Sequence, residues 1–345
     1  MNYKIPIDIP EIQYFTEQAG LHTESGAFLP NFTLAYHTYG RLHEGSKVIW
    51  VCHALTANSH VTDWWAGLFG EGRLFDPEQY FIVCSNILGS CYGSTGAASI
   101  DPNTGLPYGL TFPNLTIRDL AQAQIMLMKH LEIKDIFLCI GGSCGGHQAL
   151  ELGILLSSKI KNLALLVCGA RESAWSIAIH EAQRMALVSD PTLHDVTDIS
   201  SGARGLAAAR GIGLLMYRTY EQYVHSQTSD ISLLDNFRAS SYLQYQGEKL
   251  VKRFYAKNYY SLTKVLDTHQ VGRNRGGIEV ALAQVNAKTL IISIDSDLLI
   301  PVAEQEILAR HIPKSTHQII CSRFGHDGFL IETEKIAALI QKWLV

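Results

Sequence analysis

The chain has 345 residues, a hydrophobic content of 47% and a formal net charge of -4. This length suits one large α/β domain with an insertion, or two smaller domains. The nearly balanced charge gives no electrostatic footprint for nucleic acid, and no apolar run approaches the roughly 20 residues that a transmembrane helix requires. The N-terminal residues show neither the basic nor the apolar region of an export signal, so we expect a protein that is not exported.

The cysteine and histidine patterns narrow the class of protein further. The seven cysteines form no C-x-x-C pair, and several lie within apolar runs, where a free cysteine behaves as a small hydrophobic side chain. A reduced, cytoplasmic protein is the natural interpretation. Histidine and cysteine lack ligand spacings such as H-E-x-x-H, so no metal site is expected.

The first third of the chain contains strand patterns separated by one long loop. Residues 32–39 alternate between apolar and polar, which predicts a half-buried antiparallel strand near a sheet edge. Residues 48–53 and 81–86 are continuous apolar runs, typical of strands that are covered on both faces. Residues 86–113 are rich in Gly, Pro, Ser and Asn, and a loop this long in a compact enzyme is usually functional.

Packing and capping residues occur on either side of that loop. Trp64, Trp65 and Phe69 are interpreted as packing residues. Beyond the loop, Thr116 has the character of a helix N-cap and Asp119 follows at the third helical position, which predicts a helix that runs to residue 130.

Residues 136–156 form the stretch around which the chain is organised. An apolar run at 136–140 predicts a buried strand, and an Ala- and Leu-rich helix is expected after residue 144. Between them, Gly141, Ser143 and Gly145 complete a G-x-S-x-G motif, which in this context marks a nucleophile on a strained turn. Glycine on either side lets strand and helix approach closely. A glycine-rich turn with an incidental serine is the alternative, because short motifs also match by chance.

The strand pattern stops after a further predicted strand at 163–167 and resumes near residue 289. Helices are predicted between these points at 173–188, 202–217, 231–250 and 259–268. Their Tyr- and Arg-rich composition suggests a helical lid over the carboxyl edge of the sheet. We therefore predict a core domain of residues 1–172 and 288–345, with residues 173–287 as a helical lid insertion.

The last part of the chain returns to strands followed by helices. Strands are predicted at 289–294 and 317–321, and helices at 302–311 and 332–343. This alternation predicts an α/β fold with a mostly parallel central sheet and helices on both faces.

A serine hydroxyl becomes a useful nucleophile only when a positioned base accepts its proton. In this fold type the acid and then the histidine follow the serine along the chain. Asp295 and Asp297 follow the predicted strand 289–294, and His326 follows the last strand. The predicted triad is Ser143, Asp297 and His326, which points to acyl transfer. Asp295 is interpreted as a turn-forming residue instead.

Two backbone N–H groups are expected to bind the oxyanion that forms during acyl transfer. One belongs to Cys144, directly after the nucleophile, and the other to Leu55 in the loop after the strand 48–53. His53, in the same loop, is interpreted as a packing residue.

Longer motifs are more specific than the elbow alone. They are HALT at 53–56, NILGSCYGSTG at 86–96, PYGLTFPNLTIRD at 107–119, GGSCGGHQALE at 141–151, GLAAARGIGLLMYRT at 205–219, YLQYQGEKLVKRF at 242–254, DSDLLIP at 295–301 and GHDGFL at 325–330. With these motifs the chain resembles the homoserine O-acyltransferase family over nearly its whole length. Members of that family are acetyltransferases of methionine biosynthesis with an α/β-hydrolase fold.

The resemblance implies roles for further residues. The family's acid falls on Asp297, an arginine for the homoserine carboxylate falls on Arg210, and the aspartate for the amino group falls on Asp327. Tyr217 is a further substrate-binding candidate, as are Arg184 and Arg218. Without the resemblance, Arg210 would be read as an ordinary ion-pair arginine and Asp327 as a helix cap.

The resemblance also implies a ping-pong reaction through an acyl-serine. Acetyl-CoA would be the donor substrate, no tightly bound cofactor is expected, and members are usually homodimers joined through the lid helices. Cys144 stands where the family commonly has Met, which leaves the shape of the acyl pocket open. Succinyl-CoA as donor, serine as acceptor, a lidded esterase and a non-enzymatic protein remain as alternatives.

Overall fold

The computed structural model describes residues 10–345. Its strands are β1 (Gln13–Glu17), β2 (Leu21–His22), β3 (Phe28–Leu29), β4 (Phe32–Tyr39), β5 (Lys47–Cys52), β6 (Tyr80–Ser85), β7 (Ile136–Gly142), β8 (Ile160–Leu166), β9 (Lys288–Ile294) and β10 (Ser315–Ile320). Its α-helices are α1 (Thr62–Trp65), α2 (Ile117–His130), α3 (Cys144–Leu155), α4 (Ala174–Val188), α5 (Ala203–Tyr217), α6 (Tyr220–Gln227), α7 (Arg238–Val251), α8 (Ala256–Asp267), α9 (Ile278–Leu282), α10 (Val302–His311), α11 (Gly328–Ile331) and α12 (Thr333–Leu344). None of these helices combines the length and apolar character needed to cross a membrane.

Eight strands form one sheet in the order β1-β4-β6-β5-β7-β8-β9-β10, and β2 pairs with β3 separately. The strands from β6 to β10 in this order run parallel, whereas β4 pairs antiparallel with β1 and β6. Strand β6, which follows β5 in the chain, lies on one side of β5, and β7 lies on the other side. The carboxyl ends of β5 and β7 therefore flank a switch point, where α/β sheets commonly bind ligands.

Alternating side chains of the strands supply two buried layers. In β5, Val48, Trp50 and Cys52 pack into one hydrophobic cluster, and Ile49 and Val51 pack into the other. Helices α2 and α3 cover the first face, and α1 and α12 cover the second. Each large apolar side chain buried in this way contributes about 1.5–3 kcal/mol. The predicted α/β fold, a mostly parallel sheet with helices on both faces, is confirmed.

Local signals in the sequence account for several element boundaries. The strands predicted at 48–53, 81–86 and 289–294 agree with β5, β6 and β9 to within one residue. At the start of α2, the Thr116 hydroxyl accepts from the Asp119 N–H (3.2 Å), and the Asp119 carboxylate accepts from the Thr116 N–H (2.8 Å). This reciprocal pair is the predicted cap, and it satisfies two helix-end donors.

The helices between β8 and β9 differ from their prediction in two places. The helix predicted over 231–250 is wrong at its start, because α7 begins only at Arg238. Asn236 has φ of 55°, a left-handed conformation that interrupts a helix. Helix α6 was not predicted, although the Thr219 hydroxyl caps it by accepting from the Gln222 N–H. The division into core and lid stays a prediction.

The aromatic residues after β5 are not all fully buried. Trp65 and Phe69 are fully buried, as expected of packing residues, and the Trp65 indole donates to the Phe329 carbonyl (3.0 Å). Trp64 packs against the same hydrophobic cluster, where it is partly exposed, and it also lines a cavity. The interpretation as packing residues therefore holds for all three, with Trp64 at the edge of the core.

Candidate active site

Ser143 lies on a sharp turn between β7 and α3. Its backbone has φ of 57° and ψ of -125°, a region that is unfavourable for any residue with a side chain. A Cβ at Gly141 would overlap the carbonyl of Gly145, and a Cβ at Gly145 would overlap the carbonyl of Cys52. The two glycines thus let strand and helix approach closely enough to form the turn.

The structure brings Ser143, His326 and Asp297 into one hydrogen-bonded chain. The Ser143 hydroxyl lies 2.8 Å from His326 Nε2, and His326 Nδ1 lies 2.7 Å from an oxygen of Asp297. The other oxygen of Asp297 accepts from the N–H groups of Leu299 and Ile300, each at 2.9 Å. These bonds fix the carboxylate, which in turn orients the imidazole.

Asp295 does not take part in this chain. One of its oxygens accepts from the Ser322 N–H (3.0 Å), so that it fastens the loop after β10 to the end of β9. The role is structural, as its interpretation as a turn-forming residue implied.

The surroundings of His326 shift its affinity for a proton. Burial lowers the pKa of His326, but the charge of Asp297 and its hydrogen bond raise it, with smaller contributions from Asp327 and Glu172. The outcome is a pKa above the ordinary histidine value. An imidazole of this kind accepts a proton from serine readily and holds it while the reaction proceeds.

The two expected oxyanion donors belong to Leu55, which lies on the wall of the cavity that contains Ser143, and to Cys144, which directly follows Ser143 in the chain. The N–H of Cys144 is at the first position of α3, where no intrahelical acceptor exists. The N–H of Leu55 has no acceptor among residues 10–345. Burial raises the pKa of the Cys144 thiol to about 12, so the thiol stays neutral at physiological pH.

His53 holds the loop that carries Leu55. Its Nδ1 donates to the Ala54 carbonyl (2.8 Å), and its Nε2 accepts from the Ile87 N–H (3.1 Å). Burial lowers the pKa of His53 to about 4, and it is therefore neutral at physiological pH. The geometry agrees with the packing role inferred from the sequence.

A buried glutamine relay joins the same loop to the turn at Ser143. The Trp50 indole donates to Gln124 (2.8 Å), Gln124 donates to Gln148 (2.8 Å), and Gln148 donates to the carbonyls of His53 and Cys144. Sequence analysis missed both glutamines. Their only signal is a polar residue on the buried face of a helix, which does not reveal the partner.

A cavity of about 380 Å³ opens above Ser143. Sheet loops and helices α1 and α3 contribute Leu55, Trp64, Ser143, His147, His326 and Asp327, and the chain between β8 and β9 contributes Glu172, His180, Arg210, Tyr217, Lys249 and Arg253. Of the substrate-binding candidates, Arg210, Tyr217 and Asp327 therefore lie on its wall.

The candidates on the wall have different partners. The Arg210 guanidinium lies 5.7 Å from the centre of the Tyr217 ring, and that ring lies 6.0 Å from the His326 ring. Asp327 accepts from Arg218 Nε at 3.1 Å. Arg184 is outside the cavity wall and pairs with Asp267 (2.6 Å), so it is removed from the candidates.

Sequence analysis missed several cavity residues, among them Glu172, His147 and His180. Glu172 lies in the loop after β8, His147 lies in α3 and His180 lies in α4, so the three residues are far apart in sequence. The only signal for Glu172 is its position shortly after the carboxyl end of β8. Within residues 10–345, no group of three or more His, Cys, Asp or Glu side chains is arranged to hold a metal ion.

Comparison with known proteins places this geometry in a class. The family model described as the alpha/beta hydrolase fold matches residues 47–333. The structure titled homoserine O-acetyltransferase from Bacillus anthracis superposes with a TM-score of 0.90, 22% identity and coverage of 98% of each chain, which shows a shared fold.

Closer relatives define the family within that class. A homoserine O-acetyltransferase of Cyclobacterium marinum is 42% identical over 99% of this chain and 98% of its own length. One from Chlorobaculum tepidum is 44% identical over 95% of this chain and 93% of its own length. The chain belongs to the homoserine O-acetyltransferase family of α/β-hydrolase-fold proteins.

Proposed function

We propose that the protein transfers an acetyl group from acetyl-CoA to the hydroxyl of L-homoserine. The observation that carries this proposal is the hydrogen-bonded chain of Ser143, His326 and Asp297, which opens into a cavity that also contains Arg210 and Asp327. The names of the close relatives support the same acyl group and acceptor.

In the first half-reaction, Ser143 Oγ attacks the thioester carbonyl carbon, and His326 Nε2 accepts the hydroxyl proton. The N–H groups of Leu55 and Cys144 bind the oxyanion of the tetrahedral intermediate; a single such donor contributes about 3–4 kcal/mol to lowering the barrier. When the C–S bond breaks, His326 returns the proton to the sulfur. Coenzyme A leaves, and acetyl-Ser143 remains.

In the second half-reaction, the homoserine hydroxyl attacks the acetyl-Ser143 carbonyl carbon. His326 accepts the proton of that hydroxyl and then donates it to Ser143 Oγ as the ester bond to the enzyme breaks. The products are O-acetylhomoserine and free enzyme. The charge of Asp297 stabilises the imidazolium in both half-reactions.

Transfer exceeds hydrolysis only if the acceptor is held for attack. We propose that Arg210 binds the homoserine carboxylate, Asp327 contacts the amino group, and Tyr217 fills the space between Arg210 and His326. A guanidinium suits a carboxylate because it donates two parallel hydrogen bonds. Positioning of this kind corresponds to effective molarities of about 10⁵ M or more, far above the concentration of water.

We also propose a homodimer joined through the lid helices, and a cytoplasmic location. Large apolar side chains are exposed on the chain between β8 and β9, as expected of a surface that is covered in a dimer. Examples are Met185, Leu215, Leu234 and Tyr245. All seven cysteines are free, which suits a reducing compartment.

A coenzyme A release assay tests the donor and the acceptor together. Acetyl-CoA and succinyl-CoA are compared, each with homoserine, with serine and with no acceptor. We expect rapid release only with acetyl-CoA and homoserine. Faster release with succinyl-CoA would make succinyl-CoA the donor, and a preference for serine would make serine the acceptor. Equal release of coenzyme A without any acceptor would indicate an esterase.

A Ser143→Ala variant tests the nucleophile. The variant should fold normally and lose transfer by several orders of magnitude, because the acyl-enzyme can no longer form. Mass spectrometry of the wild-type protein after mixing with acetyl-CoA should locate an added acetyl group at Ser143. Turnover of the variant at the wild-type rate would refute the assignment.

A further inference from the structure

Glu172 is a nearly buried carboxylate on the wall of the cavity above Ser143. It follows β8 by a short loop, and only 4% of its side chain is exposed. The hydroxyl of Ser176 donates to the Leu299 carbonyl (3.1 Å), and a hydrogen bond from the same hydroxyl helps to lower the pKa of Glu172. Ser176 is therefore a shared and uncharged partner, and a buried carboxylate with only such a partner is costly.

The histidines around Glu172 do not supply a better partner. His147 Nδ1 is 3.8 Å from a Glu172 oxygen, beyond hydrogen-bond distance, and has no partner. Burial lowers the pKa of His147 well below the ordinary value, so its ring is neutral. His180 donates from Nδ1 to Asp267 (2.8 Å), so that this nitrogen is bound to another carboxylate.

Burial consequently shifts the ionisation of Glu172. It raises the pKa of Glu172 to about 7, and the neighbouring His180 and the Ser176 hydroxyl only partly offset the effect. A cation placed beside the carboxylate would favour its charged form. The electrostatic character of the site therefore suits an ammonium group.

The charged side chains on the cavity wall differ in whether they already have an ion-pair partner. Asp327 is already paired with Arg218 at 3.1 Å. Within residues 10–345, Arg210, Lys249 and Arg253 form no ion pair, and Glu172 has no Lys or Arg partner. Arg210 and Glu172 can therefore receive the two charged groups of a zwitterion on the wall of one cavity.

We propose that Glu172 binds the ammonium group of the acceptor, as a second carboxylate beside Asp327, while Arg210 binds its carboxylate. The proposal rests on the function proposed above and makes the acceptor an amino alcohol by chemical class. Glu172 then selects the acceptor rather than taking part in bond making.

Acceptors that lack one charged group separate this role from a structural one. Transfer from acetyl-CoA is measured with homoserine, with 4-hydroxybutyrate, which lacks the ammonium, and with 3-aminopropan-1-ol, which lacks the carboxylate. In Glu172→Gln, kcat/KM should fall at least tenfold for homoserine and 3-aminopropan-1-ol, the order expected for a lost charge-assisted hydrogen bond. For 4-hydroxybutyrate it should change less than threefold.

Two further variants complete the experiment. Glu279→Gln removes a carboxylate whose side chain is 78% exposed and outside the cavity wall, and it should leave the ratio of homoserine to 4-hydroxybutyrate unchanged. Glu172→Leu provides a second test of the same position, and thermal melting verifies that each variant is folded.

The outcomes separate the two proposals. If the wild-type protein releases no coenzyme A with homoserine, the proposed function and the role of Glu172 both fail. If the wild-type protein is active and a folded Glu172 variant keeps the wild-type ratio between homoserine and 4-hydroxybutyrate, only the role of Glu172 is refuted.

Discussion

The protonation of His326 sets the reactivity of Ser143. Its Nε2 must be unprotonated to accept the serine proton, and the nearby carboxylates favour the protonated form. A raised pKa makes His326 a stronger base but lowers the fraction of enzyme that is ready to react at acidic pH. In the proposed mechanism, catalysis depends on a balance that Asp297 sets through its charge and its 2.7 Å hydrogen bond.

The pH dependence of acylation should report that balance. We expect kcat/KM for the acylation of Ser143 by p-nitrophenyl acetate to rise with pH through a pKa above the ordinary histidine value of 6.5. The sign follows because the protonated imidazole is inactive and the surrounding carboxylates stabilise it. A rise centred at or below 6.5 would contradict the electrostatic description.

Asp297→Asn serves as the matched variant for that profile. The amide oxygen can still accept from Leu299 and Ile300, but the amide N–H₂ would face His326 Nδ1 and favour the wrong tautomer. The acylation rate should fall by about 10⁴-fold, and the remaining activity should rise at lower pH than in the wild type, because burial now dominates. An unchanged rate would exclude Asp297 from the site.

The predictions for single residues differed in how much they depended on contacts with distant parts of the chain. Ser143 and the two glycines around it carry a local motif, and the strained turn follows from that motif. Asp297 and Asp295 are two residues apart, and only the coordinates show that one contacts His326 while the other fastens a loop. No local sequence pattern reveals the surroundings of Glu172, because the neighbouring side chains belong to α3 and α4.

At the scale of elements, the strand, turn and helix around Ser143 form one tightly packed unit. Helix α3 begins directly at Cys144, and Gly145 faces the carbonyl of Cys52 at the end of β5. The same turn thus sets the distance between the nucleophile and the loop that carries Leu55. Any side chain at position 145 would push these elements apart.

Gly145→Ala should therefore impair both stability and activity. The added Cβ overlaps backbone that cannot rotate away, so we expect a loss of about 1–3 kcal/mol in the free energy of unfolding. Acylation should fall more steeply than stability, because the oxyanion donors shift relative to Ser143. Urea denaturation and acylation rates measure the two effects.

Gly211→Ala provides the control for that substitution. Gly211 lies within α5, and a Cβ there meets no atom within 4 Å. Alanine is a better helix former than glycine by about 1 kcal/mol, so this variant should be as stable as the wild type or more stable. Equal effects of the two substitutions on stability and acylation would show that the close approach of α3 to the end of β5 at Gly145 is unimportant.

Element predictions succeeded where a local cause was visible. The cap of α2 and the apolar strands depend on residues that are close in sequence. The start of α7 was misjudged, because the residues before it include Ile231 and Leu234, whose side chains are exposed and form no buried helical face. Asn236, in a left-handed conformation, separates them from the helix.

For the whole molecule, the cavity exists because two distant parts of the chain meet at one edge of the sheet. Ser143 and His326 lie on loops of the sheet, and Arg210 lies on a helix between β8 and β9. The proposed reacting group and the proposed acceptor-binding group are thus held by different parts of the chain. Chemistry and acceptor recognition should accordingly be separable by mutation.

Arg210→Ala tests that separation. Loss of a guanidinium–carboxylate contact should raise the KM for homoserine about 10–100-fold, while the burst of acyl-enzyme formation from acetyl-CoA keeps its rate. Arg204→Ala, an exposed position on the same helix outside the cavity wall, should leave both quantities unchanged. A KM that is unaffected in Arg210→Ala would remove this residue from the acceptor site.

By itself, the sequence determined the α/β class, the strained turn at Ser143 and the chain order of the proposed nucleophile, acid and base. These features arise from local periodicity, glycine placement and motifs that act over a few residues. Tertiary structure decided which aspartate contacts His326, that Arg218 pairs with Asp327, and that Glu172 faces the cavity with no Lys or Arg partner among residues 10–345. Charge pairing and burial depend on distances between segments that folding brings together, and no local pattern records those distances.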